Sequence, residues 1–256
     1  MIRDRLAQVQ LAIMLLTRLP AGQLPDPAPG IGSAAWAFPL AGLAVGGGGA
    51  LTLWAALALG LPPALGAGLA ILTILLLTGA LHEDGLADLA DGFWGGQTHE
   101  KRLEIMRDSR IGSYGTLALI VSIGLRWQAL VYLAQANLDV TLVVMVVMAM
   151  TSRVAPAAVL AFVPPARSDG LGHSARATPP SGVAIAALIA LVPGLLLDSV
   201  LLLPVLMAIL CQAIVTVGLA KLAQRKLGGQ TGDVLGASQQ VAEIAGYLAL
   251  CAVLAL

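Results

Sequence analysis

The sequence predicts an all-α, polytopic integral membrane protein with about seven transmembrane helices and an N-terminal helix at the interface, built as one membrane-embedded domain over residues 1–256. Three observations carry that expectation. The chain is 58% hydrophobic and 11% charged, with a mean hydropathy of +0.90. A soluble domain is about a quarter charged, so most of this exterior faces lipid. Apolar runs of about twenty residues, enough to cross a ~30 Å hydrocarbon core, recur along the whole length. Finally, the fourteen Lys and Arg residues are segregated. Twelve of them (Arg3, Arg5, Arg18, Lys101, Arg102, Arg107, Arg110, Arg167, Arg176, Lys221, Arg225 and Lys226) lie at the N-terminus or in or beside long connections.

Taken in order, MIRDRLAQVQLAIMLLTRLP is basic and then apolar, but no convincing small-residue cleavage site follows. Its apolar stretch, 9–16, is too short to span and reads as an amphipathic interfacial helix. Candidate spans follow at 34–59, 63–81, 114–133, 138–163, 182–197, 200–220 and 236–256. Only a short turn separates the fifth from the sixth, and Pro193-Gly194 is placed to break the fifth early. The short connections near residues 60–62, 135–137 and 198 hold no Lys or Arg; those at 22–33, 82–113, 164–181 and 221–235 are long and polar. The positive-inside rule then puts the N-terminus and every long connection in the cytoplasm. The expected location is a bacterial cytoplasmic (inner) membrane. Zero net charge offers no basic field to nucleic acid, which is excluded as a partner. Cys211 and Cys251 sit in apolar segments and read as small core residues.

Against this background HEDGLADLADG, residues 82–92, is anomalous: four of fourteen acids fall within nine residues. If the second span continues as a helix through Asp91, then at ~100° per residue Asp88 lies about 40° from Asp84, and Asp91 about 20° to its other side. Stacked like charges repel, and a divalent cation relieves that, because Mg²⁺ prefers hard carboxylate oxygens. Asp84, Asp88 and Asp91 are therefore the candidate metal ligands. Gly85 and Gly92 would let a phosphate approach the backbone. Glu83 points about 100° off the stripe, and His82 reads as either a capping group or a substrate contact.

Two later segments add candidates. THEKRLEIMRDSRIGSYG predicts a short helix after Thr98, then a bunch of Arg107, Asp108 and Arg110. Two guanidiniums can fork onto phosphate oxygens, and Asp108 could orient an arginine or ligate metal. Anchoring of the next span is the plain alternative. LGGQTGDVLGASQQVAE, residues 227–243, sets four glycines around Thr231 and Asp233, a loop able to cradle phosphate with backbone N–H groups. No P-loop pattern is present. Asp233 is a candidate fourth carboxylate. Arg126 and Arg153 fall within spans, where a charge is costly, and are functional candidates or partners for interior acids. Acids at one border of a membrane protein, with nearby arginines, fit metal-assisted phosphoryl transfer; one of the acids would also serve as base.

HEDGLADLADG, EKRLEIMRDSRIGSYG and GGQTGDVLGA, in that order between spans, resemble the cobalamin synthase family of membrane adenosylcobinamide-GDP ribazoletransferases. TRLP at 17–20 and AFPLAGLAVG at 37–46 resemble the family's opening segments. The resemblance implies transfer of α-ribazole or its 5′-phosphate onto adenosylcobinamide-GDP, with release of GMP and with Mg²⁺ as cofactor. It also implies roles for Asp84, Asp88, Asp91, Asp108, Arg110 and Asp233, which match its signatures. The family pattern varies at Glu83, and Glu243 stands where the family often has more acids. Expected partners are the two substrates and the lipid bilayer, with homo-oligomerisation left open. Two rivals were weighed. A CDP-alcohol-type phosphotransferase would need an Ala-Arg where Leu86-Ala87-Asp88 stands. An ion-coupled transporter would place its acids near the midplane.

Overall fold

The computed structural model describes residues 2–170, 174–175 and 178–254. Arg176 and the last two residues of the seventh expected span lie outside these. The described chain is helical, with an isolated parallel bridge between Pro165 and Gln230 as its β-type pairing. The elements are α1 (Ile2–Leu16), α2 (Ile31–Ala34), α3 (Phe38–Ala58), α4 (Pro63–Thr78), α5 (Leu81–Gly95), α6 (His99–Ile105), α7 (Ser113–Ala136), α8 (Leu138–Ser152), α9 (Val154–Phe162), α10 (Pro180–Leu191), α11 (Ser199–Leu227) and α12 (Gly232–Leu254).

Five segments are long and apolar enough to cross a bilayer: Ile31–Ala58, Ser113–Ala136, Leu138–Phe162, Ser199–Leu227 and Gly232–Leu254. The chain is a multi-pass membrane protein. The expectation of seven full spans is corrected at two places. The fifth apolar segment, Pro180–Leu196, is short, and its last turns are tightened around Pro193. The second does not run on through Asp91. It stops at Thr78, and α5 leaves at 88° to it. Gly79 (φ +62°) and Ala80 (φ +56°) are both left-handed, which no continuous helix tolerates. The TRLP segment helps hold that break: the Arg18 backbone N–H donates to Leu77 O at 2.6 Å, and the Arg18 guanidinium packs on Gly79.

Lipid supplies no hydrophobic drive between helices, so close packing of small residues must hold them together. The AFPLAGLAVG segment does this. A Cβ on Gly42 would lie 2.5 Å from the Ala149 carbonyl oxygen, and one on Gly46 would lie 2.8 Å from the Ala149 Cβ, so α3 and α8 meet backbone to backbone. The helix α12 packs against α5, α7, α8, α9 and α11 and forms the axis of the bundle.

Along that axis the core is layered. Val234, Leu235 and Ala237 belong to one apolar cluster, shared with Leu16, Phe38, Leu89, Phe93 and Leu160. Tyr247 and Leu250 belong to a second, with Leu53, Ile71, Leu130 and Met148. Between them on α12 come Ser238, Gln239, Gln240 and Glu243, all buried. Helices α8 and α9 repeat the order, with Ser152 and Arg153 between Met148 and Ala157.

This polar layer is cross-linked. Arg126 Nη2 donates to Glu83 Oε1 at 2.8 Å, and Gln240 Nε2 donates to the same oxygen at 3.1 Å. Ser122 donates to Gln240, and Gln239 Nε2 bonds Ser152 Oγ and Glu243. Arg153 is 1% exposed, and its Nη1 donates to Ala149 O at 2.7 Å.

Candidate active site

The helices α5 and α12 cross at two glycines. A Cβ on Gly85 would lie 2.9 Å from the Asp233 carbonyl oxygen, and one on Gly236 would lie 3.3 Å from the His82 Cα. This contact brings Asp233, in the first turn of α12, beside the α5 acids. The charges acting on Asp88 are those of Asp84, Asp233 and Asp91, with Arg167 opposing them. Asp84 is exposed and Asp88 half-buried. Three carboxylates, Asp84, Asp88 and Asp233, thus gather at the crossing, and Arg167 acts on the last two.

Arg167 was not singled out from sequence. It lies in the connection after α9, and a non-local pairing sets its position: Ala166 N–H donates to Gln230 O at 2.9 Å, and Gln230 N–H donates to Pro164 O at 2.8 Å. Gly229 makes the pairing possible, since any Cβ there would collide with the Pro164 carbonyl. Arg167 Nη2 donates to Leu103 O at 2.8 Å, while its Nε is buried without a partner. Asp233, Asp169 and Asp88 are the acids that act on it. The other basic candidates are tied elsewhere. Arg107 forks onto both oxygens of Asp169 at 2.7 Å, and Arg110 binds Asp108, whose pKa its guanidinium pulls down to about 2. Asp108 is exposed and is not among the charges that reach Asp88.

Several expected roles change. Asp91 shares the stripe, but its Oδ2 accepts from Gly112 N–H at 2.7 Å and its Oδ1 from Gly115 N–H at 2.9 Å. It caps the N-terminus of α7, where a carboxylate is favoured by the unpaired N–H groups. Gly112 and Gly115 leave room for it, because a side chain at either would strike its carboxylate. Gly85 and Gly92 are not open to a phosphate: the first packs on Asp233, the second on Met106 and Arg102 O. Thr231 is the N-cap of α12, receiving Val234 N–H at 3.3 Å and bonding Asp233 at 3.2 Å. The glycine-rich stretch is therefore no free loop; Gly228 ends α11 and Gly232 begins α12. Arg153 belongs to the polar layer and not to the acid crossing. His82 is 3% exposed with an unpartnered Nε2.

Among the described residues, no three His, Cys, Asp or Glu side chains form a closed metal-ligand group. Magnesium does not require one, since it commonly takes one or two carboxylates and completes its shell with water and substrate phosphates. Asp84, Asp88 and Asp233 are hard-oxygen donors of the right kind. Asp91 already accepts a backbone N–H on each oxygen, which ties it to the start of α7.

A profile described as cobalamin-5-phosphate synthase matches residues 8–251. Three similar proteins are named adenosylcobinamide-GDP ribazoletransferase. That of Bradyrhizobium diazoefficiens is 48% identical, covering 95% of this chain and 92% of its own. Those of Azorhizobium caulinodans and Mesorhizobium japonicum are 46% and 39% identical, covering 94% and 96% of this chain and 93% of their own. No solved structure matches the chain. With nearly the whole length matched, and with acids gathered where two of the shared motifs cross, the chain belongs to the cobalamin-5-phosphate synthase family.

Proposed function

We propose that this protein is an adenosylcobinamide-GDP ribazoletransferase that joins α-ribazole or its 5′-phosphate to adenosylcobinamide-GDP and releases GMP. The observation that carries the reading is the meeting of Asp84, Asp88 and Asp233 at the α5–α12 crossing, with Arg167 acting on Asp88 and Asp233. In the reaction a ribose hydroxyl oxygen bonds to the cobinamide-proximal phosphorus. The P–O bond to the bridging oxygen breaks, and that oxygen leaves with GMP. The hydroxyl proton passes to a carboxylate of the site, for which Asp84 and Asp233 line the same cavity. Arg167, which acts on Asp88 and Asp233, supplies positive charge beside the non-bridging phosphate oxygens. Mg²⁺, held by Asp84, Asp88 and Asp233, would offset the charge that builds on the phosphate oxygens. Neither a CDP-alcohol-type reaction nor ion-coupled transport is favoured by the relatives' names.

The site faces the cytoplasm of the inner membrane in this reading, supported by the basic residues of the long connections. Purified protein given adenosylcobinamide-GDP, α-ribazole and Mg²⁺ is expected to release GMP. No GMP from the wild type, or undiminished GMP from Asp84→Ala, overturns the reading. Thiol labelling of Ser109→Cys checks orientation: an impermeant reagent should reach it in inverted vesicles and not in right-side-out ones.

A further inference from the structure

A cavity of about 140 Å³ opens beside Asp84 and Asp233. Its walls are apolar and come from four helices: Leu16 of α1, Phe38 of α3, Leu160 of α9 and Leu235 of α12. His82 of α5 also lines it. Asp84 and Asp233 border this space, and the phosphoryl-transfer chemistry gives its apolar walls no role.

We infer that this cavity seats the heteroaromatic base of the incoming nucleoside. The inference rests on the ribazole reading above and identifies a binding subsite within it. Ribazole carries a dimethylbenzimidazole, with an apolar benzo edge, one ring nitrogen bonded to ribose and one with a free lone pair. An apolar cavity of about 150 Å³ holds a benzene ring, so the benzo edge has room here. The imidazole edge then lies at the polar side and the ribose at the mouth, next to the carboxylates. The alternatives fit less well. Guanine presents several donors and acceptors that these leucine and phenylalanine walls would leave unpaired. A lipid chain would fill the walls and bring no polar group to Asp84 and Asp233 beside them. The placement also gives the N-terminal helix a purpose, because Leu16 closes one side of the cavity.

The test uses the full-length protein in lipid nanodiscs. The base without its sugar, 1,5,6-trimethylbenzimidazole, is expected to compete with ribazole for turnover and not with adenosylcobinamide-GDP. Leu160→Phe and Leu16→Phe, which fill the cavity from opposite helices, should each raise the KM for ribazole about tenfold. The KM for adenosylcobinamide-GDP should stay within about twofold. Equilibrium dialysis of the trimethylbenzimidazole against wild type and Leu160→Phe reads the site without turnover. Inhibition competitive with adenosylcobinamide-GDP, or no inhibition while the wild type releases GMP normally, overturns the subsite and leaves the reaction standing. A wild type that releases no GMP overturns the reaction and the subsite with it.

Discussion

Helix α5 carries two kinds of acid, one residue apart. Glu83 is buried, paired with Arg126 at 2.8 Å and bonded by Gln240, in a layer where Glu243 and Arg153 add one charge of each sign. Asp84 and Asp88, on another face, look across at Asp233, so that three carboxylates meet, two of them within reach of Arg167. The first region is balanced and hydrogen-bonded, as charges in a membrane interior must be. The second has surplus negative charge and opens to a cavity. Both hold ionisable groups in a membrane protein, and only the imbalance separates scaffold from chemistry. An excess of one sign that no fold requirement explains sets the second region apart as the candidate site.

That contrast can be broken from either side. Asp88→Ala is expected to lower GMP release about a thousandfold, ~4 kcal/mol in the barrier. Its thermal midpoint in detergent should hold or rise, because a repelling charge has been removed. A lost fold would place Asp88 in the scaffold instead. The opposite response is expected of Arg126→Leu. It strands Glu83 in the interior, a change that costs about 3–5 kcal/mol for a buried pair, and the purified protein should unfold at a markedly lower temperature. Adding Glu83→Leu to it should restore part of the midpoint. If the double variant is as unstable as the single, the pair is not the unit proposed.

Arg167 sharpens the comparison at its one cationic point. Arg167→Ala should cut kcat/KM about tenfold to a hundredfold, and Arg167→Lys should recover only part, since an ammonium lacks the guanidinium fork. The thermal midpoint should hardly move, because Arg167 Nη2 bonds a single carbonyl, Leu103 O. Unchanged kinetics would remove Arg167 from the site.

Much of this was legible in sequence for local reasons. Apolar runs locate helices, and the spacing of Asp84, Asp88 and Asp91 survives because all three fall within α5. What could not be read depends on distant partners. The break at Gly79–Ala80 places an alanine in left-handed backbone, a conformation no local rule predicts, and Arg18 packs against it from the far end of α1. Arg167 looks like an ordinary loop cation until the Pro164–Gln230 pairing carries it to the acids. The rarity of Arg153 in a span does mark it as special. Only the packed helices reveal that it joins a balanced layer. The glycines were noticed for the right property, lack of a side chain, but Gly85 and Gly92 give that space to neighbouring residues and not to a ligand.

The smallest expected effect tests the finest distinction, between two acids of one stripe. Asp91 sits a single turn beyond Asp88 and would be a metal ligand by spacing alone. Both its oxygens instead accept backbone N–H groups at the start of α7. Asp91→Asn keeps one acceptor and turns an NH₂ toward the other donor, so α7 loses a cap contact and a favourable charge at its N-terminus. Loss of such a cap costs about 0.5–2 kcal/mol, so the thermal midpoint should fall modestly. GMP release below that midpoint should stay within about tenfold of wild type, through a small shift in α5 that displaces Asp88. Its dependence on Mg²⁺ concentration should be unchanged, because no ligand has been lost. Abolished turnover at an unchanged midpoint, or a raised Mg²⁺ requirement, would return Asp91 to the metal shell and erase the line drawn between it and Asp88.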